Sequence, residues 1–462
     1  MNVPTVRQDH SIKSTMQEIN KQGIGIAFVL DMNERLVGVV TDGDIRRAIL
    51  SGTSLQADIA TIMNQDPVRG YESWGKEEFD IMLSSQSVAR KTPKIGALVV
   101  PILDEHDRIV RFDIASDGVI RPLTASSAEL QNLGRPKRVL VLGGAGYIGS
   151  VLSRMLLERG YKVKVMDSLI YGDDGITELY GSEDFELVRG EVTNVVNIVE
   201  AFKDVDAVVH LAAIVGDPAG KTKPKQTLQV NYFSTSVLVD VAKYLGITRF
   251  VFASTCSVYG FTVQTCKETD QPNPLSLYAE TKAMSEKAIL DGSSPGLCST
   301  ILRFATVYGL SPRMRFDLVV NLLVAKAMID RRITVFGKGT QRRPFVHVRD
   351  VARAILSTLE APPDSVCGEI FNVGSEEQNM SILELAEAIN EDVKDAVLEK
   401  IEEKEDERSY SVSFEKIRNR LDFTPSESIS NAVREIQDFI SKKRIEDYED
   451  KKYSNYLTLR ES

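Results

Sequence analysis

The sequence predicts an α/β protein: a doubly wound parallel sheet with a small C-terminal α/β lobe, preceded by a smaller α+β module. Three observations lead to this fold. From Lys137 onwards, short continuous apolar runs alternate with helical patterns, as buried parallel strands do. A glycine-rich turn joins the first of these strands to a helix. Before residue 122 the elements are shorter and form a loose internal repeat.

Bulk properties limit the class of protein. A chain of 462 residues is long for one core, so two or three domains are expected. The formal net charge of -10 disfavours nucleic acid and anionic membranes as partners. The N-terminal residues lack the apolar segment of a signal peptide, and no run of 18 apolar residues occurs. We therefore expect a cytoplasmic protein with no membrane association.

The four cysteines and four histidines are scattered, without the spacing of a metal site. No metal is therefore expected, and a few unpaired thiols suit a reducing compartment.

The first module spans residues 1–122. The predicted elements of its first half are a helix at Ser11–Lys21, strands at Gly25–Leu30 and Leu36–Val40, and a helix at Ile45–Leu50. A loose repeat of this pattern follows, with a helix at Lys76–Ser84 and a strand at Ile95–Pro101. Residues 123–136 mix Pro, Ser and Gly without apolar periodicity and are predicted to be a linker.

The second region, residues 137–440, carries the parallel sheet. Its predicted strands are Val139–Leu142, Val163–Met166, Ala207–Leu211, Phe250–Ala253 and Thr300–Phe304. The C-terminal lobe is expected at about 310–340 and 376–440, the latter as two helices around a short strand. Residues 441–462 are charged and are expected to be a solvated helix or tail.

The glycine turn has the context of a dinucleotide site. Gly143, Gly146 and Gly149 lie between a strand and a helix, so the backbone can approach a pyrophosphate at the helix N-terminus. Asp167 ends the next strand, where a carboxylate accepts hydrogen bonds from ribose hydroxyls and repels a 2′-phosphate. This pattern predicts NAD rather than NADP. The alternative is a structural turn followed by a turn aspartate.

Tyr278 and Lys282 share one face of a predicted helix, one turn apart. A nearby ammonium and the positive nicotinamide would favour the phenolate and lower the pKa of the tyrosine toward neutral values. The pair follows a strand that ends in residues 254–260, whose hydroxyls would reach a substrate oxygen. On its own, this spacing is also typical of an exposed helix face.

Together these features resemble the extended short-chain dehydrogenase/reductase family, the nucleotide-sugar epimerases and dehydratases. The matching blocks are the glycine turn, residues 210–213, Val230 and Asn231, residues 254–260, Tyr278 and Lys282, residues 302–304, residues 343–351 and residues 371–374.

The resemblance implies the fold, the cofactor and a set of site residues. Thr255, Tyr278 and Lys282 take the places of the family's catalytic residues. The implied NAD-binding residues are Gly143, Gly146, Tyr147, Ile148, Gly149, Asp167, Glu191, Val192, Leu211, Ala212, Ala213, Tyr278 and Lys282.

The implied ligand of the second subsite is a nucleoside-diphosphate sugar. Its expected contacts are Cys256, Ser257, Thr306, Arg315, Arg343 and Arg408. Arg343 matches a family arginine that holds the diphosphate, and Arg408 is a second candidate. Arg315 and its neighbour Arg313 would lie near the phosphates or form a solvated charged loop. His347 is expected to be a packed structural histidine.

Four residues depart from the family pattern. Glu191 stands where Asp is usual, and Thr306 where many epimerases have Asn. Family 4,6-dehydratases usually place acids after the catalytic Thr to protonate the leaving hydroxyl, whereas this chain has Cys256 and Ser257. We therefore predict a 4-epimerase-like reaction, with a 4,6-dehydratase or a 4-ketoreductase as alternatives.

The first module resembles a pair of CBS domains. Thr41 and Asp44 match residues that hold an adenine nucleotide in that family, while the second repeat lacks the motif. The prediction is regulation by AMP, ADP or ATP, and the alternative is a ligand-free dimerisation module. The resemblance also implies a homodimer or higher homo-oligomer. A different class of function, a non-catalytic sensor of NAD and adenine nucleotides, is disfavoured by the presence of Tyr278, Lys282 and Thr255.

Overall fold

The structure, a computed structural model, describes residues 5–22, 26–41, 44–45, 47–48, 51–75, 78–79, 81–82, 97–116, 119–122, 135–292, 296–402 and 408–461. The chain divides into two compact units. The first comprises Met1–Asn132, Asp240–Ile247 and Ser294–Leu297, and the second comprises Leu133–Val239, Thr248–Ser293 and Cys298–Ser462. Most of the predicted linker, residues 123–134, lies outside the described residues.

Two small sheets form the described part of the first unit. The elements are β1 (Thr5–Arg7), α1 (Ile12–Gln22), β2 (Ile26–Leu30), β3 (Leu36–Thr41), β4 (Gly70–Tyr71), β5 (Ala97–Leu103), β6 (Ile109–Ser116) and β7 (Val119–Pro122). One sheet has the order β1-β2-β3 and the other β4-β5-β6-β7. Ile12 and Ile19 of α1 pack with Val29 of β2 because they share one helix face. The predicted helices at 45–50 and 76–84 lie partly outside the described residues.

A parallel sheet organises the second unit. Its strands are β8 (Arg138–Leu142), β9 (Lys162–Asp167), β10 (Phe185–Arg189), β11 (Ala207–His210), β12 (Arg249–Thr255), β14 (Cys298–Phe304) and β18 (Ile370–Val373). Within the described residues the order is β10-β9-β8-β11-β12-β14-β18, and each neighbouring pair is parallel. The strand order reverses between β8 and β11, as in doubly wound sheets, so the predicted fold class is confirmed.

Helices cover both faces of this sheet and build the lobe. They are α2 (Tyr147–Glu158), α3 (Val195–Phe202), α4 (Asp217–Thr222), α5 (Pro224–Leu228), α6 (Ser234–Tyr244), α7 (Leu277–Asp291), α8 (Val319–Ile329), α9 (Val348–Glu360), α10 (Pro363–Val366), α11 (Ile382–Asp392), α12 (Glu415–Leu421), α13 (Ile429–Lys443) and α14 (Asn455–Glu461). A π-helical turn, Gln229–Phe233, joins α5 to α6.

Short strands complete the lobe: β13 (Phe261–Cys266), β15 (Thr306–Tyr308), β16 (Arg332–Phe336), β17 (Arg342–His347), β19 (Asn379–Ser381), β20 (Val397–Ile401) and β21 (Ser409–Val412). They pair as β13-β21, β15-β17-β19 and β16-β20. A separate core under the lobe joins Val320 of α8, Leu385 of α11 and Ile436 of α13.

The C-terminal part differs from the prediction. The prediction for residues 376–440 is two helices around a short strand, whereas the described residues of this region include the three helices α11, α12 and α13 and the three short strands β19, β20 and β21. The expectation of a solvated tail after residue 441 is wrong, because Tyr448, Asn455 and Leu459 are buried. Their apolar and hydrogen-bonding partners come from distant parts of the chain, so a local charge pattern did not reveal them.

The cysteines also differ from the prediction of unpaired thiols. Cys298 and Cys367 form a disulfide, with Cα atoms 4.6 Å apart and 69 residues between them in sequence. The pairing of β14 with β18 brings the two together. Cys256 and Cys266 are free and buried.

Candidate active site

A cavity of about 800 Å³ opens at the carboxyl ends of the parallel strands. Its walls come from the segments that follow β8, β9, β10, β11, β12 and β14, and from the lobe. Open α/β sheets bind ligands at this edge, where the strand order reverses. The volume lies in the range of small-molecule sites.

The glycine turn forms one end of the cavity. Gly143 has φ +82°, and a Cβ there would lie 2.8 Å from the Ala212 nitrogen. A Cβ on Gly149 would lie 2.3 Å from the Gly143 carbonyl oxygen. Both positions therefore need glycine for the turn and the close approach of backbones. Gly146 is the N-cap of α2, and no side chain of the described residues caps that helix, so its first N–H groups remain available for an anion.

Asp167 lies beside this turn at the end of β9. Its Oδ2 accepts a hydrogen bond from the Ala145 N–H at 3.0 Å and its Oδ1 accepts one from the Leu169 N–H at 2.9 Å. Burial raises the pKa of Asp167, while these N–H groups act to lower it. The carboxylate keeps further lone pairs for ribose hydroxyls.

The remaining implied NAD-binding residues line the same cavity. These are Tyr147, Ile148, Glu191, Val192, Leu211, Ala212 and Ala213. Tyr147 is anchored because its hydroxyl donates a hydrogen bond to the Gly309 carbonyl at 2.5 Å. A turn without Cβ atoms, an open helix N-terminus and a carboxylate at the next strand end fit an NAD molecule.

The three predicted catalytic side chains meet in the middle of the cavity. Thr255 is the last residue of β12, and Tyr278 and Lys282 lie on α7. The Lys282 Nζ donates a hydrogen bond to the Ala253 carbonyl at 2.7 Å, and it lies 4.6 Å from the centre of the Phe252 ring. Ser276 caps α7 by accepting a hydrogen bond from the Ala279 N–H, which starts the helix just before Tyr278.

The pKa of Tyr278 differs from the sequence-based expectation. Burial raises the pKa of the phenol to about 12, although its interaction with the Thr255 hydroxyl lowers it. Burial also lowers the pKa of Lys282 to about 7, against the influence of Glu286. The spacing of the two residues did not reveal how strongly the protein desolvates both.

Three arginines, Arg315, Arg343 and Arg408, line one part of the cavity, here called the arginine end. Arg343 is 8% exposed and donates a hydrogen bond to the Arg408 carbonyl, so the two residues predicted to hold phosphates are neighbours. Arg408 forms an ion pair with Asp217 of α4. Arg315 lines the cavity in an ion pair with Asp317, 2.8 Å apart.

Several other residues at this end also line the cavity. Thr306 and Arg313 contribute to its wall, and Arg313 is 6% exposed, which excludes the alternative of a solvated loop for this residue. Ser257 lies 3.4 Å from the Tyr410 hydroxyl, oxygen to oxygen.

The prediction that Cys256 contacts the substrate is wrong. Its side chain is fully buried in the sheet core, and its Sγ donates a hydrogen bond to the Arg303 carbonyl at 3.2 Å. Burial raises the pKa of the thiol. Cys256 follows the end of β12 and faces away from the cavity that Thr255 and Ser257 line.

Two histidines act as structural groups. His347 is fully buried, and its Nδ1 accepts a hydrogen bond from the Arg349 N–H at 3.2 Å, which caps α9. Burial lowers the pKa of His210 to about 3, so this ring is neutral beside Thr235.

The sequence reasoning missed residues from three parts of the chain. Tyr410 lines the cavity, and Asn455 and Leu459 reach it from α14. Glu286 lies behind Lys282 in a buried ion pair with Arg303, 2.7 Å apart. Two signals in the sequence could have indicated this ion pair. Arg303 is a charged residue inside the apolar run of β14, and Glu286 is an acid one helical turn after Lys282.

In the first unit, Thr41 and Asp44 contact each other. The Thr41 hydroxyl donates a hydrogen bond to the Asp44 Oδ2 at 2.7 Å, and the Asp44 N–H donates one back to the Thr41 hydroxyl oxygen at 3.2 Å. Arg47 donates a hydrogen bond to the other carboxylate oxygen at 2.5 Å. Residues 42 and 43 between them lie outside the described residues.

The described residues hold no group of three or more His, Cys, Asp or Glu arranged to bind a metal. Among the described helices, none combines the length and the apolarity that crossing a membrane requires.

Comparison with known proteins identifies both parts of the chain. Residues 139–374 match the NAD dependent epimerase/dehydratase family, and residues 1–51 match the CBS domain. The chain is 31% identical over 294 residues to the UDP-N-acetyl-alpha-D-glucosaminuronate decarboxylase of Bacillus cytotoxicus, which covers 62% of this chain and 88% of that protein. It is 31% identical over 260 residues to the UDP-glucuronate 4-epimerase of Thermodesulfobacterium geofontis, covering 54% and 79%.

A solved structure agrees with this relationship. The UDP-glucuronic acid 4-epimerase of Bacillus cereus, in complex with UDP-glucuronic acid and NAD, is similar with a TM-score of 0.59 and 30% identity. The similarity covers 66% of this chain and 99% of that one. The chain carries an N-terminal CBS domain and belongs to the NAD dependent epimerase/dehydratase family, as an enzyme whose cofactor is NAD.

Proposed function

We propose that this chain is a 4-epimerase of a UDP-linked sugar, with a UDP-linked uronic acid as its first candidate substrate. The observation that carries the proposal is the meeting of Thr255, Tyr278 and Lys282 in the cavity, between the glycine turn and the arginine end. The names of relatives that act on UDP-glucuronic acid support the choice of nucleotide and sugar.

In this proposal the chain's own residues bind both ligands and move one proton. Arg343 and Arg408 hold the diphosphate, and Thr255 and Ser257 orient the sugar hydroxyls. Oxidised NAD, held by the glycine turn and Asp167, supplies the hydride acceptor and the positive charge that opposes the raised pKa of Tyr278. Tyr278 takes the proton of the C4 hydroxyl and returns it to the oxygen after the ring has turned. Lys282 orients the nicotinamide ribose.

The surroundings of Thr255 favour epimerisation over dehydration. Elimination of water needs an acid beside the leaving hydroxyl. The next two residues are Cys256, which faces the core, and Ser257, which faces Tyr410. Asp217 is an acid close enough to Tyr278 to raise the pKa of its phenol, and it is already paired with Arg408. A 4-ketoreductase shares the same proton and hydride chemistry and is a further alternative within the family.

The test is to incubate the purified, NAD-loaded chain with UDP-glucuronic acid and to follow the products by NMR. The expected product is the C4 epimer, with no release of CO₂. A pentose product with CO₂ release, or a 4-keto-6-deoxy sugar from a UDP-hexose, would replace epimerisation by decarboxylation or dehydration. Bound NAD without turnover of any nucleotide sugar would favour the sensor class instead.

We also propose that residues 1–122 form a regulatory module that binds an adenine nucleotide through Thr41 and Asp44. The match to the CBS domain supports this proposal. Calorimetry on the full chain with AMP, ADP and ATP tests it, with the Thr41→Val and Asp44→Asn variants as matched controls. If nucleotide addition gives the same heat of binding for the wild type and for both variants, Thr41 and Asp44 do not bind the nucleotide. That result would favour a ligand-free dimerisation module.

The domain boundaries, the location and the oligomeric state belong to the same proposal. We infer a module at 1–122, a linker at 123–136 and an enzyme domain at 137–440, in a cytoplasmic homodimer or higher homo-oligomer. Light scattering of the purified chain gives the mass in solution, and a monomeric mass would contradict the last point.

A further inference from the structure

A buried carboxylate lies behind the active site, on the same helix face as Tyr278 and Lys282. Glu286 follows Lys282 by four residues, as Lys282 follows Tyr278, so the three side chains stack along one face of α7. Glu286 is 3% exposed, and none of the chemistry described above uses it.

The strand that carries Thr255 contacts all three residues in turn. The Ala253 carbonyl accepts a hydrogen bond from the Lys282 Nζ at 2.7 Å. The Ser254 hydroxyl donates one to Glu286, and Thr255 interacts with Tyr278. Three consecutive residues at the end of β12 thus meet three residues spaced by helical turns on α7. This arrangement determines how the hydroxyl of Thr255 faces the phenol.

Arg303 holds Glu286 from the neighbouring strand. Its Nη2 and Nε donate hydrogen bonds to the two carboxylate oxygens at 2.7 and 3.0 Å. Its Nη1 donates to the Tyr259 hydroxyl at 2.9 Å, and that hydroxyl donates to the Asn372 Oδ1 at 2.8 Å. A two-bond guanidinium–carboxylate pair of this kind has a strict geometry, so it gives Glu286 a single position.

We propose that Glu286 is a positioning residue of this active site, which holds the end of β12 against α7 and lies behind Lys282 as its counter-charge. Glu286 acts through Lys282 and Ser254. It lies in the sheet core, outside the cavity wall.

The charges around Lys282 agree with this role. Glu286 raises the pKa of Lys282 against the effect of burial. The other groups that face this region are His210, which is neutral, the phenol of Tyr278, and Arg303, whose charge is paired with Glu286. Glu286 is therefore the anionic group that favours the charged form of Lys282.

The test compares Glu286→Gln with Glu280→Gln, a matched variant at an exposed position of the same helix. The titration of Lys282 is followed through the NMR signal of lysine labelled at Cε, in the full chain saturated with NAD. We expect the Lys282 pKa to fall by about one unit in Glu286→Gln and to stay in place in Glu280→Gln. An unchanged Lys282 pKa in Glu286→Gln would overturn the counter-charge role.

Because Glu286→Gln leaves a buried guanidinium without its partner, it would weaken the fold. The double variant Glu286→Gln/Arg303→Gln removes both charges and decides the question if the single variant does not fold. Because the double variant also removes the positive charge of Arg303, the Lys282 pKa should fall by less than in Glu286→Gln. A Lys282 pKa at or above the wild-type value in the double variant would overturn the counter-charge role.

Ser254→Ala tests the holding role separately, since it leaves the ion pair intact. We expect kcat to fall several-fold with KM unchanged, and an unchanged kcat would contradict it. Only this kinetic arm rests on the proposed function, because the lysine titration needs no turnover. If the chain had no epimerase activity, the titration of Lys282 would still test the counter-charge role of Glu286.

Discussion

Two threonines with ionisable partners illustrate how differently this chain uses similar chemistry. In the second unit, Thr255 meets Tyr278 from another element, and both face a cavity. In the first unit, Thr41 and Asp44 are three residues apart, and the backbone N–H of each donates a hydrogen bond to the side chain of the other, as in a capping box. The comparison shows that a threonine can meet a side chain from a distant element at an open cavity, or bind a residue close to it in sequence.

The largest expected effect concerns the phenol of Tyr278, which faces the cavity. Tyr278→Phe removes the proton acceptor and should lower kcat by ~10²–10⁴-fold, while NAD still binds. Tyr308→Phe is a matched control, because its hydroxyl bonds Gln378 away from the cavity. Steady-state kinetics and NAD fluorescence measure the two effects. Unchanged turnover in Tyr278→Phe would contradict a catalytic role for the pair of Thr255 and Tyr278.

The second largest effect concerns the glycine turn at one end of the cavity. Gly143→Ala adds a Cβ where φ is +82° and the Ala212 nitrogen is 2.8 Å away. Strain of about 1–3 kcal/mol and a blocked approach should weaken NAD binding by about tenfold or more. Gly160→Ala is the control, because Gly160 has φ +77° and a Cβ there would meet nothing within 4 Å. Calorimetric titration with NAD should find normal affinity in the control, and equal losses in both variants would contradict the explanation.

The lysine behind the phenol makes stability depend on pH. The pKa of Lys282 is lowered to about 7 from its usual value of 10.5, so between these values the unfolded chain binds the proton more tightly. The unfolding free energy should therefore rise from pH 7 to pH 10 in the wild type relative to Lys282→Met. Urea denaturation at several pH values measures the difference. Lys287→Met, an exposed position on the same helix, should show no such trend.

The smallest expected effect lies in the first unit. Asp44→Ala removes the carboxylate that accepts hydrogen bonds from the Thr41 N–H and hydroxyl. The loss should destabilise this unit by about 1 kcal/mol. Thermal unfolding with and without ATP measures it, with Asp58→Ala at an exposed position as control. If ATP raises the unfolding temperature of the wild type but not of Asp44→Ala, the pair serves a ligand as well as its own backbone.

Much of the fold and of the site could be predicted because the signals were local. The apolar strand runs, the glycine turn with Asp167 after it, and the helical spacing of Tyr278 and Lys282 each lie within a short stretch of sequence. Every predicted NAD-binding residue lines the cavity. Of the predicted substrate contacts, Cys256 does not, because the chain turns at the end of β12 and its side chain faces the core.

The residues that could not be predicted depend on contacts between distant segments. Asp217 meets Arg408 across 191 residues, and Arg313 meets Asn455 across 142. The disulfide between Cys298 and Cys367 depends in the same way on two strands pairing. No periodicity within one element indicates such pairs.

The sequence by itself determined five of the seven described strands of the parallel sheet, the glycine turn and the family, because hydrophobic periodicity and turn chemistry are properties of neighbouring residues. Only the tertiary structure decided which side chains face the cavity, which charges neutralise each other in the core, and how far burial shifts the pKa values of Tyr278 and Lys282. The physical reason is that desolvation and ion pairing depend on everything packed around a group, and those surroundings come from segments far apart in the chain.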